Sequence, residues 1–143
     1  MKQIKVYLQF PWKFSVHFYY KYLIQNPPKK IKYINAKKII PYTFPFSDII
    51  KKIVRKGIGF FFPSLPNAHL TRTKEEFDLI HCAHCLSLNK KPWVADIEWV
   101  GQFWVAWKEK GYPNKKYVKK IVNSPYCKKI LAWTEWAKKG ILK

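Results

Sequence analysis

Short apolar runs rich in β-branched and aromatic residues alternate along this chain with segments whose apolar residues recur at helical spacing, and that alternation constrains the fold more than any other feature. The runs "IKVYLQF" (4–10), "KIKYINA" (30–36), "FDLIHCA" (77–83), "PWVADIEWV" (92–100) and "KKILAWT" (128–134) read as strands. Between them, "SVHFYYKYLIQN" (15–26) reads as a helix with Ser15 as N-cap, stopped by Pro27 and Pro28. "SDIIKKIVRKG" (47–57) reads as a second, capped by Ser47 or Asp48 and closed at Gly57, after a linker whose Phe44 and Phe46 are expected to pack as core. "NKKYVKKIVNS" (114–124) and "TEWAKKGILK" (134–143) follow, the last with Thr134 as its cap. Strands alternating with helices predict an α/β fold with a Rossmann-like, largely parallel sheet flanked by helices. The length suits one core and falls short of two, so residues 1–143 read as a single domain.

Parallel sheets of this kind bind ligands beyond the carboxyl ends of their strands. The residues to watch are therefore Pro11 to Lys13, His81 to Cys85, Asp96 to Trp99, and Thr134 with Glu135.

The second of these stretches, His81-Cys82-Ala83-His84-Cys85, admits two chemistries and one structural reading. A structural zinc site needs about four ligands, usually two separated pairs. Here the pairs interleave at the end of one strand, where alternate side chains point to opposite faces, and no second cluster exists. Neither a metal nor any other cofactor is expected. A redox Cys-x-x-Cys pair lacks the matching strand pattern upstream, and two buried thiols are the simpler reading. Asp96 and Glu98, two apart on a strand and drawn from only eight acids, share a face or cleft edge and are the candidate catalytic carboxylates, a glycosidase-like acid/base pair, the alternative being carboxylates paired with some of the many lysines. "KGIGFFF" lacks the third glycine of a phosphate loop and follows a helix instead of preceding one.

Charge points to an anionic partner. Lysine and arginine total 28 against 8 acids, a net charge of +20, while 48% hydrophobic content excludes disorder for the chain as a whole. All but Arg55 and Arg72 of the cations are lysines, which lack the planar fork that reads bases. Sequence-specific nucleic acid is thus a disfavoured partner. No apolar run reaches the ~18 residues of a membrane span, and the cysteines are odd in number. A cytoplasmic protein is expected, peripheral at most at the inner face of an anionic membrane.

Read together, Asp78-Leu79-Ile80-His81, the proline-led strand Pro92 to Glu98, and the segment Cys127 to Glu135 that turns a strand into a helix resemble the N-terminal domain of GT-B-fold glycosyltransferases, of the retaining, family-four-like group. The resemblance covers about the last seventy residues well and the first strand loosely. It implies an acceptor-binding half whose cleft is lined by His81, His84, Lys13, Thr134 and Glu135, with Glu98 standing where that group often has a histidine. It also implies a nucleotide-sugar donor held by a C-terminal domain absent from these 143 residues, supplied by further chain or by a partner. The acceptor would be a carbohydrate or a lipid-linked saccharide, and the chain alone would not transfer sugar. The turn after the first strand, "FPWKFS", replaces the group's glycine-rich one, leaving Lys13 to meet a phosphate. The alternative is a basic, non-catalytic binding module for nucleic acid or another anionic surface.

Overall fold

The computed structural model describes residues 3–10, 17–35, 45–106 and 114–142, with the side chains of 45–48 and 142 outside the description. Seven strands are described: β1 (Ile4–Gln9), β2 (Ile31–Tyr33), β3 (Ala68–His69), β4 (Leu79–Ala83), β5 (Leu86–Ser87), β6 (Trp93–Ile97) and β7 (Cys127–Ala132). The helices are α1 (Phe18–Gln25), α2 (Pro45–Phe61), α3 (Lys116–Val122) and α4 (Glu135–Leu142), with a 3-10 turn at Val100–Phe103.

Five strands form one sheet in the order β2-β1-β4-β6-β7, every pair parallel, and β3 and β5 form a second, two-stranded parallel pair. The fold is the expected Rossmann-like α/β arrangement. Its strand order reverses between β1 and β4, and such a switch point opens a crevice beyond the carboxyl ends of those strands.

Register assigns the two faces of the sheet. Leu8 pairs with His81, His81 with Val94, and Ala83 with Asp96, so these point to one side. Tyr20 and Ile24 of α1 pack there against Leu8 and Ala83. Ile80, Cys82, Trp93, Ala95 and Ile97 point to the other side, where Val118 of α3 and Ala137 of α4 close the larger core. Ile80, Cys82, Trp93, Ala95 and Ile97 are all fully buried. At ~25 cal/mol per Å² of apolar surface, burial on this face stabilises the fold.

Local chemistry sets the ends of the helices. His17 caps α1, its Nδ1 accepting from the Tyr19 N–H at 3.3 Å, and Asn26 closes it by donating to the Tyr22 carbonyl at 2.8 Å. The expected cap, Ser15, lies outside the described residues, as do Lys13, Phe44 and the side chain of Phe46. Thr134 caps α4 as expected, its Oγ1 accepting from the Ala137 N–H at 3.0 Å. The second helix differs from expectation: it does not stop at Gly57 but runs to Phe61. Gly57 meets nothing within 4 Å, and Gly59 lies where an added Cβ would stand 2.5 Å from that of Ala106. The second glycine therefore serves a close approach, so glycine here does not mark a helix end. Among the described residues, no helix is long and apolar enough to cross a membrane.

Candidate active site

At the carboxyl ends of β4 and β6 a buried polar lattice lies beneath α1. Asp96, 1% exposed, is its centre. Tyr20 donates its hydroxyl to Asp96 Oδ1 at 2.7 Å, the Trp133 indole Nε1 donates to Oδ2 at 3.3 Å, and His81 Nε2 stands 3.5 Å from Oδ2. The other nitrogen of His81 meets the Tyr33 hydroxyl at 3.1 Å. An isolated buried carboxylate would cost several kcal/mol. Burial pushes Asp96 upward, but the nearness of His81 and the hydrogen bond from the Tyr20 hydroxyl outweigh it, holding the carboxyl below its ordinary range. Burial and the Asp96 charge together push the Tyr20 phenol far up, so it remains a donor.

His84 follows the end of β4 with φ at +54°, a left-handed backbone that costs a non-glycine residue ~1 kcal/mol or more. Three contacts hold it there. Its N–H donates to the Asp96 carbonyl at 3.2 Å, its carbonyl accepts from Asn67 Nδ2 at 2.8 Å, and its ring Nδ1 accepts from Gln102 Nε2 at 2.7 Å. The orientation of Gln102 is set by its other end, because Oε1 accepts from the Glu98 N–H at 2.8 Å. The amide nitrogen must then face His84, which places the histidine proton on Nε2. Among the described residues that nitrogen is buried with no hydrogen-bond partner, and the ring packs 5.0 Å from Trp133 and 5.4 Å from Tyr20. Burial lowers the His84 pKa despite the raising effect of Asp96 and Glu98, so the imidazole is held neutral.

Above this lattice lies the accessible layer. The Glu98 side chain is 40% exposed and its Oε1 stands 3.9 Å from His17 Nε2. Trp133 presents a half-buried ring against His17 at 5.4 Å and Tyr19 at 4.8 Å. A carboxylate, an imidazole and an indole thus follow one another along one surface, a combination that can hydrogen-bond a hydroxyl-rich ligand and stack on its apolar face.

The expected site residues divide into three groups. His81, His84, Asp96 and Glu98 are brought together. Thr134 adjoins them, its Oγ1 donating to the Glu98 carbonyl at 3.4 Å, whereas Glu135 is spent on an exposed ion pair with Lys138 at 3.5 Å. Lys13 lies outside the described residues. Cys82 and Cys85 lie fully buried as free thiols, their sulfurs facing Gln9 of β1. No group of three or more His, Cys, Asp or Glu side chains converges as a metal set among the described residues.

Sequence reasoning missed Tyr20, Tyr33, Trp133, His17 and Gln102. The spacing of His17 and Tyr20, three apart at the start of α1, could have placed them on one helical face toward the strand ends. Gln102 carries no such signal, since it acts through a 3-10 turn.

A large apolar cavity of about 820 Å³ lies away from this layer, between the loop around Phe62 to Pro66, the residues after β5, and α3. It contains none of the groups just described. Compared with known proteins, the chain matches no family model, no curated protein and no solved structure.

Proposed function

We propose that this chain is the acceptor-side half of a GT-B-type glycosyltransferase, acting in the cytoplasm, with the nucleotide-sugar donor held by a second α/β domain. The observation that carries the reading is that the part-exposed Glu98 meets His17, and His17 in turn meets Trp133, at the carboxyl ends of the strands. A saccharide hydroxyl set between Glu98 and His17 would be oriented, and its proton accepted, by the carboxylate. Trp133 would carry the sugar ring. Asp96 serves this layer as a positioning residue, because both its oxygens are engaged beneath the surface. His84 fixes Gln102, and Gln102 fixes the backbone of Glu98.

Isothermal titration of the chain with a saccharide and lipid-linked saccharide panel tests the reading. Glu98→Gln is expected to weaken binding about tenfold, equivalent to ~1.4 kcal/mol, with the unfolding midpoint unmoved. Affinity confined to polynucleotides, falling steeply with salt, would favour a basic binding module instead.

A further inference from the structure

Helix α2 is amphipathic the wrong way round. At 100° per residue, Ile49, Ile50, Ile53, Val54, Phe60 and Phe61 fall on one side of "PFSDIIKKIVRKGIGFF", and Lys51, Lys52, Arg55 and Lys56 on the other. Such an apolar stripe ordinarily faces the core. Here Ile53 is 64% exposed, Phe60 70% and Phe61 73%, and Ile49, Ile50 and Val54 are exposed as well, with Phe62 continuing the surface just beyond the helix. The helix is seated by the opposite flank. Gly59 is buried against Ala106, and Arg55 donates from Nε to the Val105 carbonyl at 2.8 Å.

We propose that this outward face docks on an anionic lipid bilayer, with the isoleucines and phenylalanines entering the acyl boundary and the flanking lysines meeting the headgroups. Charge complementarity selects this occupant. With 28 cations against 8 acids, the chain is drawn to an anionic surface, and the exposed Lys52 and Lys56 border the apolar stripe. A second copy would bring two bodies of net charge +20 together, lysine rim against lysine rim. A polynucleotide would satisfy the lysines and leave the stripe in water. A bilayer offers anionic heads and a hydrocarbon layer in the same plane, and an interfacial helix of this kind buries its apolar face ~5–10 Å deep. The docking stands independently of the saccharide site, which lies on other elements.

The test is co-sedimentation of the intact chain with vesicles of equimolar phosphatidylglycerol and phosphatidylcholine, at low and high salt. The unaltered chain should bind and retain part of its binding at high salt, where lysine attraction is screened. The double variant Phe60→Ser, Phe61→Ser alters exposed side chains only, so it should keep the near-ultraviolet dichroism of the parent while binding more than about tenfold more weakly. Absence of binding to these vesicles overturns the proposal, and so does binding that the double variant leaves undiminished, since lysines alone would then account for it. A concentration-dependent dimer in sedimentation velocity that the double variant dissociates would assign the face to a second copy, and the proposal would again fall.

Discussion

Tyr20 of the first helix donates its hydroxyl to Asp96 of the sheet at 2.7 Å, and both residues are at most 1% exposed. This contact joins the helix to the strand end that carries the candidate site. Tyr20→Phe keeps the ring and removes the donor, leaving a buried carboxylate oxygen unpaired. A hydrogen bond to a charged group is worth ~1.5–3 kcal/mol. The variant should therefore lose about 2 kcal/mol in urea unfolding, with an unchanged slope.

His84 allows a test of backbone strain against side-chain contact. Both His84→Gly and His84→Ala lose the bond from Gln102, but only glycine adopts the φ of +54° without strain. The glycine variant should be the more stable of the two by ~1 kcal/mol, and an inverted order would show that the segment relaxes to another conformation.

Acid should act on stability in two stages. His84 and His69 are held below the ordinary 6.5 by burial, so the folded state prefers them neutral. Their contribution is complete above pH ~6.5 and is lost as pH falls from there toward their folded values. Asp96, held below its ordinary 3.8, stabilises the fold above pH ~4 and ceases to do so as pH falls through its lowered value. Urea midpoints measured across the acid range should decline in that order. His84→Asn, which tolerates the left-handed backbone, should shrink the first stage and leave the second.

The three thiols should differ in access. Cys82 and Cys85 are fully buried and burial raises the Cys82 thiol far above its ordinary value, whereas Cys127 is half-buried and pushed up to about 11. Under native conditions, a disulfide reagent at neutral pH should label Cys127 slowly and first, with the other two reacting only on unfolding. Fast labelling of Cys82 would contradict its burial.

Much of the scaffold was legible because each strand is a compact apolar run with a clear break after it. The parallel sheet, the burial of Cys82 and Cys85 behind the histidines, and the Thr134 cap all follow from periodicity and side-chain type. The site was legible only in part. Asp96 and Glu98 stand out as scarce carboxylates, but nothing in their spacing separates a carboxylate enclosed by Tyr20, Trp133 and His81 from one left open beside His17. That distinction comes from which helix crosses which strand end, a tertiary relationship. Helix α2 failed for a related reason. A glycine at position 57 resembles a stop signal, whereas the helix runs on to Phe61 and is seated by Gly59 alone of the two, through a contact with Ala106 that no local pattern encodes.

The acceptor reading is tested most directly by NMR of the chain during titration with the saccharide panel, following the Trp133 indole and the Glu98 amide. The account predicts that a saccharide ligand shifts both resonances together with those of His17, and that Glu98→Gln weakens the response. If every saccharide leaves these resonances in place while a polynucleotide shifts the lysine-bearing helices, the crevice is not an acceptor site and the proposed function is wrong.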